Sequence, residues 1–212
     1  MKFEELLSKV GGEPIFETGF LLAGDDPARV RRQLSRWVRA GKIVQLRRGL
    51  YALAAPYRRT DPHPFLVSNR LFPGSYVSRE SALAHYGLIP EYAPVVTAVG
   101  AGRPERLQTA FGAHELRHLQ PRLIRGFSAE EVSPGQTVFI ATAEKALLDL
   151  IYLTPGGDAS RFLEGLRLQH LDRIQPEDLL KTASLFDTPK LRRAAGRIKG
   201  LAEQEREEYE TL

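Results

Sequence analysis

The chain has 212 residues, of which 42% are apolar and 26% charged, a composition typical of a folded globular protein rather than a disordered one. It has no cysteine, which excludes disulfides, thiolate zinc sites and cysteine nucleophiles. The formal net charge is +4, but residues 1–60 carry twelve basic and six acidic residues, whereas the rest of the chain has slightly more acids than bases. This uneven charge favours more than one domain, with a polyanionic partner for the first.

The N-terminal residues predict a cytoplasmic protein. The start, MKFEELLSKV, has acidic residues where a secretory signal peptide needs basic ones, and it lacks a continuous apolar core. No run of the sequence approaches the roughly 20 apolar residues that a transmembrane helix requires. We therefore expect no membrane partner.

The first part of the chain is predicted to form a winged helix-turn-helix domain. Apolar residues at helical spacing indicate a first helix from Phe3 to Val10, and a second short helix fits residues 15–23. Residues 24–26 form the turn of the motif. A third helix then runs from Pro27 to about Ala40, with Asp26 as its N-cap.

The third helix is predicted to be strongly amphipathic. Val30, Leu34 and Trp37 fall on one face and pack inward. The opposite face is rich in arginine, the commonest bidentate reader of guanine, and this helix lies in the major groove in a helix-turn-helix. The candidate DNA-binding residues there are Arg29, Arg31, Arg32, Ser35 and Arg36. Arg39 and Lys42 lie further along and are assigned to phosphate contacts.

Two strand-like runs after this helix form the predicted wing. They are Ile43–Leu46 and Leu50–Leu53, joined by a three-residue loop of Arg47, Arg48 and Gly49, in which glycine supplies the positive φ. The two arginines are placed at the tip, where a wing reaches the DNA backbone or the minor groove. Both are therefore counted among the candidate DNA-binding residues.

The segment from Pro27 to Thr60 contains ten basic residues and no acidic one. Charge on a single helix commonly marks no more than a solvated face, but here it coincides with the order helix, helix, turn, helix, ribbon. We therefore favour double-stranded DNA as the partner. The alternative is a winged-helix module that docks a protein or an RNA without operator specificity.

A linker rich in proline, residues 56–64, is followed by a predicted small α+β domain. Helices are expected at about 65–72 and 76–88, the second with Ser78 as a cap, and at 143–153, where Thr142 is the cap. Strands are expected at 94–99, 107–119, 123–127 and 137–140.

Three motifs of the sequence resemble the AbiEi family of abortive-infection antitoxins. They are GLYAL at 49–53, YVSRESALAHYGLIPE at 76–91 and IATAEKALLDLIYL at 140–153, and the resemblance covers about residues 15–155. It implies a type IV antitoxin whose N-terminal domain binds inverted repeats in the promoter of its own operon and represses it. It also implies a nucleotidyltransferase-like toxin as the functional partner, with direct contact left open.

No catalytic or metal site is predicted. Glu144, Lys145 and Asp149 lie close together on one helix, but a metal-dependent enzyme needs partners from a second element, and the spacing of Lys145 and Asp149 is typical of a surface or domain-bridging salt bridge. His114 and His118 share the i,i+4 spacing of zinc ligands, yet their segment is predicted as a strand. We therefore expect no cofactor and no enzyme activity, and an enzyme that uses Glu144 is the last-ranked alternative.

Three helices are predicted after residue 157. They fit Ala159–Leu171, Pro176–Phe186 and Pro189 to about Tyr209, and the last has an apolar stripe that begins at Leu191. Its other face carries a second basic patch, which is equally compatible with a solvated face and with a nucleic-acid or partner surface. This patch consists of Lys190, Arg192, Arg193, Arg197 and Lys199.

The sequence thus predicts an α+β protein in three parts: a winged helix-turn-helix domain at 1–60, a small α+β domain of the antitoxin type at 61–157, and a C-terminal helical segment at 158–212 that packs on the middle domain. The expected function is that of a transcriptional repressor and antitoxin.

Overall fold

The computed structural model describes residues 1–22, 26–90 and 93–210, with side chains to residue 205, and its fold is α+β, as predicted. The helices are α1 (Phe3–Val10), α2 (Thr18–Leu21), α3 (Pro27–Arg39), α4 (Pro64–Leu71), α5 (Arg79–His85), α6 (Ala143–Leu153), α7 (Ser160–Gly165), α8 (Pro176–Phe186) and α9 (Pro189–Glu210). The strands are β1 (Phe16–Glu17), β2 (Ile43–Arg47), β3 (Leu50–Leu53), β4 (Ser75–Val77), β5 (Val95–Gly100), β6 (Glu105–Thr109), β7 (Gly112–His118), β8 (Phe127–Ser133) and β9 (Gln136–Ala141).

The second helix of the N-terminal part is shorter than predicted. Phe16 and Glu17 form β1, which pairs with β3, so only Thr18–Leu21 is helical. The helix predicted over Phe16 from the sequence pattern was wrong, because the backbone of Phe16 pairs with β3, a strand that lies far along the chain. Ala23 and the predicted turn residues Gly24 and Asp25 lie outside the described residues.

The wing hairpin turns more tightly than predicted. A β-bulge between Gln45 and Arg47 keeps Arg47 within β2, so the connection is the two-residue turn Arg48-Gly49 instead of a three-residue loop. Gly49 has φ +87°, as the turn requires. Its carbonyl accepts a hydrogen bond from the backbone N–H of Thr18 at 2.9 Å, which ties the turn to the start of α2.

The middle of the chain forms a six-stranded mixed sheet in the order β6-β7-β5-β4-β9-β8. The pairs β5–β7 and β4–β9 are parallel and the other pairs are antiparallel. The segment 107–119 was predicted as one strand, but it contains the turn between β6 and β7. Tyr76 and Val77 were predicted as helical, but they form β4 because β5 pairs with them.

The loop before β8 also differs from the prediction. A 3₁₀ turn at Pro121–Leu123 replaces the expected strand at 123–127, and β8 begins only at Phe127. In contrast, α6 is confirmed residue for residue, with the Thr142 hydroxyl accepting the backbone N–H of Lys145 at 3.3 Å.

The C-terminal helices pack on the middle of the chain. Helices α8 and α9 are confirmed, whereas the helix expected at Ala159–Leu171 ends at Gly165 and is followed by a 3₁₀ turn at Leu171–Arg173. The inner stripe of α9 shares one apolar core with the six-stranded sheet, although Leu201 on this helix is exposed.

Two apolar cores meet at the wing. Helices α1 and α3 bury Phe3, Leu34 and Trp37 in a core of their own. Three residues of the N-terminal part, Ile15, Leu46 and Leu50, are instead buried in the larger core of the sheet. The wing is therefore packed against the middle of the protein and does not project freely.

Candidate nucleic-acid interface

Helix α3 presents an arginine surface to solvent, as predicted. The carboxylate of Asp26 accepts the backbone N–H of Ala28 at 3.0 Å, which caps the helix, and Pro27 is its first residue. The inner face of the helix is buried, and its outer face is exposed. The exposed arginines of this helix are Arg29, Arg31, Arg32, Arg36 and Arg39. Within the described part of the chain, none of them has an ion-pair partner, so their guanidinium groups are available to a ligand.

The spacing of three of these arginines matches the scale of a DNA groove. Arg29, Arg32 and Arg36 are three and four residues apart, so they lie on one face of the helix and span about 10 Å along its axis. At about 3.4 Å per base pair, that distance covers roughly three consecutive base pairs. Such a row of arginines can contact bases of a single half-site.

Two of the predicted DNA-binding residues are engaged within the protein. The Ser35 hydroxyl donates a hydrogen bond to the Arg31 carbonyl at 3.0 Å, which leaves Ser35 without a free proton to donate to a base. The Lys42 ammonium lies 4.5 Å from the centre of the Phe3 ring and is half-buried. Lys42 therefore stabilises the packing of α1, although its charge still adds to the surface potential.

The two arginines of the hairpin have different roles in the structure. The Arg47 guanidinium donates a hydrogen bond to the carbonyl of Leu71, the last residue of α4, where a helix leaves a carbonyl without a partner. The prediction that Arg47 lies at the wing tip is therefore wrong, because its side chain is directed at the middle of the protein. Arg48 is exposed in the turn, and no ion pair to another described residue holds it.

The second basic patch is largely engaged in contacts within the protein. Arg193 makes two hydrogen bonds to the Asp158 carboxylate at 2.6 and 3.0 Å, and Arg197 donates to the Asp158 carbonyl at 2.7 Å. These hydrogen bonds from Arg193 hold the pKa of the Asp158 carboxyl below its ordinary value. Lys190 donates to the carbonyls of Tyr152 and Thr154 at 3.2 and 2.5 Å and so closes the end of α6.

The other two members of the patch are paired as well. Arg192 lies 2.6 Å from the Asp187 carboxylate, and Lys199 lies 3.5 Å from that of Glu203. The interpretation as a free basic surface is therefore not supported: the charges hold α9 to its neighbours or are balanced by nearby acids.

The lysine–aspartate pair of α6 is buried instead of lying at the surface. Lys145 and Asp149 form an ion pair with exposures of 1% and 0%, and the Asp149 carboxylate also accepts the hydroxyls of Tyr76 at 3.0 Å and Ser78 at 2.8 Å. Burial lowers the pKa of Lys145 and raises that of Asp149, while their mutual attraction opposes both shifts. These buried groups join α6 to β4, since Tyr76 of β4 contacts both members of the pair. Glu144 accepts the backbone N–H of Gln175 at 2.9 Å, a structural contact as well.

The two histidines with zinc-like spacing do not form a ligand pair. His114 is fully buried in β7, and burial lowers its pKa to about 4. His118 lies at the end of the same strand, with its Nδ1 atom 3.2 Å from the carbonyls of Ala101 and Gly102. Over the described ranges, no group of three or more histidine, aspartate or glutamate side chains is arranged to hold a metal ion.

Sequence reasoning missed the contacts between the wing and the middle of the protein. The residues that could have indicated them are Ile15, Leu46 and Leu50, three apolar side chains that belong to the core of the sheet and not to the core of α1 and α3. The hydrogen bond from Arg47 to the Leu71 carbonyl could not be predicted from the sequence, because every residue has a main-chain carbonyl whatever its side chain.

Three helices, a hairpin and an exposed arginine face define the first part of the chain as a winged helix-turn-helix. Residues 21–54, which contain α3 and this hairpin, match the model of a family described as transcriptional regulator, AbiEi antitoxin. No curated protein matches the chain.

Among solved structures, the fold is similar to the crystal structure of the RV2827C protein from Mycobacterium tuberculosis. The TM-score is 0.57 with 16% identity, and the match covers 94% of this chain and 76% of that one. At this identity the likeness concerns the fold alone. No helix among the described residues has the length and apolarity needed to cross a membrane.

Proposed function

We propose that the protein is a DNA-binding transcriptional repressor that acts as the antitoxin of a type IV toxin–antitoxin operon. The observation that carries this proposal is the exposed arginine face of α3, within the segment that matches the AbiEi antitoxin model. A face of unpaired guanidinium groups on a capped, well-packed helix suits a polyanionic groove. The proposal places the protein in the cytoplasm, where it meets its promoter.

In this function α3 enters the major groove of an operator built of inverted repeats. Arg29, Arg32 and Arg36 contact base edges, preferentially guanine, since arginine can donate two hydrogen bonds to its O6 and N7 atoms. Arg31, Arg39 and Arg48 contact phosphates and set the register of the helix. Lys42 adds to the positive potential. Occupation of the promoter by the protein then represses the operon.

The test of DNA recognition is a gel-shift titration with the promoter of the protein's own operon. Arg32→Ala and Arg36→Ala are each expected to lower operator affinity about tenfold, the loss of one good base contact. Arg192→Ala is the matched control, because Arg192 is an exposed helical arginine of the second basic patch. Unchanged affinity in both α3 variants would overturn the assignment, and equal binding of a scrambled duplex would favour the protein- or RNA-docking alternative.

The antitoxin part of the proposal is tested by co-expression. A gene for a nucleotidyltransferase-like protein is expected beside the gene of this protein, and expression of that neighbour alone should arrest growth. Expression of the present chain should restore growth. Arrest that persists despite normal levels of the chain would contradict the antitoxin role and leave the repressor role intact.

A further inference from the structure

The wing turn is held by a contact from outside the hairpin. The carbonyl oxygen of Gly49, the second residue of the turn, faces Thr18, the first residue of α2. The backbone N–H of Thr18 donates to this oxygen at 2.9 Å, and the Thr18 hydroxyl donates to it at 3.3 Å. One carbonyl of the turn thus accepts two hydrogen bonds from a residue that lies 31 positions earlier in the chain.

The strand before Thr18 fixes the direction of this contact. Glu17 of β1 pairs with Leu50 of β3. The rings of Phe16 and Tyr51, the next pair of the same ladder, stack with their centres 5.8 Å apart. Thr18 therefore continues the contacts between β1 and β3 by one residue and reaches the turn itself.

Thr18 also belongs to the helix-turn-helix. Helix α2 precedes α3 in this motif, and Leu21 of α2 is fully buried in the same core as Leu34 of α3. Ile43, the first residue of β2, lies in this core as well. The wing turn is therefore tied to α3 along two routes, one through β2 and one through Thr18 and α2. The two routes close a ring of contacts, which restrains the turn more than attachment of the hairpin at one end.

This restraint matters for Arg48, the exposed first residue of the turn. Arg48 lies five residues beyond Ile43, which is about 16 Å along an extended strand. A rotation of the hairpin by about 10° about its base would move the turn by about 3 Å over this length. Such a movement exceeds what a charge-assisted hydrogen bond between a guanidinium group and a phosphate tolerates. The contact of Arg48 with DNA therefore requires a turn that is held in place.

We propose that Thr18 is a positioning residue of the DNA interface. Its two hydrogen bonds to Gly49 hold the wing turn so that Arg48 meets the DNA backbone in register with α3. Thr18 acts through Arg48 and contacts no DNA itself. The inference rests on the proposed function, in which Arg48 contacts a phosphate. Any loss of operator affinity caused by a change at Thr18 is therefore limited to the contribution of Arg48.

Three substitutions at Thr18 separate the two hydrogen bonds. Thr18→Pro removes both, since proline has no N–H and is well accepted at the first position of a helix. The preceding residue, Glu17, already has the extended backbone that proline requires, with φ −107° and ψ 149°. Thr18→Val removes only the hydroxyl and keeps the shape of the side chain. Thr18→Ser keeps the hydroxyl and is the matched control.

The test is a double-mutant cycle on the operator affinity of the full-length protein, measured by gel shift at several salt concentrations. Thr18→Pro is expected to weaken binding about fivefold at physiological salt and to lower the salt slope of log affinity by about one, because one phosphate contact is lost. Thr18→Val should give a smaller loss, and Thr18→Ser should bind like the unmodified protein. Thr18→Pro should have no further effect in the Arg48→Ala background and its full effect in the Arg32→Ala background.

Two results would overturn the positioning role of Thr18. One is an equally large loss from Thr18→Pro in the Arg48→Ala background, because a general loosening of the domain does not depend on Arg48. The other is unchanged operator affinity in both Thr18→Pro and Thr18→Val. If Thr18→Pro lowers the melting temperature, Thr18→Val decides in the same cycle. Both results leave the repressor function intact, whereas failure of the unmodified protein to bind its operator would refute that function and this inference with it.

Discussion

Arg47 and Arg48 are neighbours in the wing, yet their surroundings differ. Arg47 binds the carbonyl at the end of α4, whereas Arg48 has no ion pair to any described residue. We expect Arg48→Ala to weaken operator binding and to lower the salt slope of log affinity by about one, the loss of one phosphate contact. Arg47→Ala should instead lower the free energy of unfolding by about 1 kcal/mol, because a partly exposed, charge-assisted hydrogen bond is lost.

Gel shifts at several salt concentrations and urea titrations on the same two variants check this difference. A loss of salt slope in Arg47→Ala without a change in stability would mean that the contact with α4 opens on DNA.

His114 makes the stability of the protein depend on pH. Its pKa is lowered to about 4 by burial, so the unfolded chain, where histidine titrates near 6.5, binds a proton more readily. The free energy of unfolding should therefore rise with pH between about 4 and 6.5, and the contribution of His114 over this window is up to about 3 kcal/mol. The orphaned Nδ1 atom of His114 agrees with this sign, since no acceptor among the described residues is hydrogen-bonded to it to stabilise a charged ring.

Urea titrations at pH 5 and pH 7 measure this effect, with His114→Leu as the comparison. The variant should show a smaller difference between the two pH values than the unmodified protein. His63, whose pKa burial also lowers, is present in both chains and cancels in the comparison. Equal pH dependence in the two chains would contradict the assignment to His114.

At the scale of elements, the pair of Lys145 and Asp149 joins α6 to β4. Removal of one partner leaves an uncompensated charge in the core, so we expect Lys145→Met to cost about 3–5 kcal/mol of stability. The double variant with Asp149→Leu should recover a large part of this loss, because no buried charge then remains. Urea unfolding of the single and the double variant measures the free energy of unfolding of each. Lys181→Met serves as the control for the loss of an exposed lysine. A cost of the single variant no larger than that of the control would contradict the prediction.

The elements predicted correctly are those whose signals are local. Helices α3 and α6 have a capping side chain at one end and an apolar stripe along their length, and both signals act within a few residues. Two of the errors fall on Phe16 and Tyr76, where an apolar residue at a helical position is recruited into a strand by a partner far along the chain. Such pairing depends on tertiary contacts that a single segment does not encode.

The candidate site also has one part that local sequence signals predict and one part that depends on the fold. The arginine face of α3 follows from helical periodicity alone, and the structure exposes all of its arginines. For the second basic patch the sequence left a solvated face and a partner surface equally open, because its charges are matched by residues such as Asp158, which precedes α9 by some thirty residues. Composition and periodicity show where charges lie on a helix, but only the fold shows which of them are already paired.

At the scale of the whole molecule, the wing links the N-terminal part to the sheet. Leu46 and Leu50 belong to the large core, and burial of each such side chain contributes about 2 kcal/mol. We therefore expect the full chain to unfold in one transition. Trp37 is the only tryptophan and lies in the core of α1 and α3, so its fluorescence reports on the N-terminal part, whereas far-ultraviolet circular dichroism reports on the whole chain.

The two signals should give the same urea midpoint, as a cooperative transition requires. Leu50→Ala should shift both midpoints together, since the cavity lies in the core that the two parts share, and a loss of about 2–5 kcal/mol is typical of such a change. Leu34→Ala, in the core of α1 and α3, should also shift both midpoints together, because a single transition responds to a cavity in either core. A fluorescence midpoint clearly below that of circular dichroism in the unmodified protein would show that the N-terminal part unfolds separately, and that the contacts of the wing hold it only loosely to the sheet.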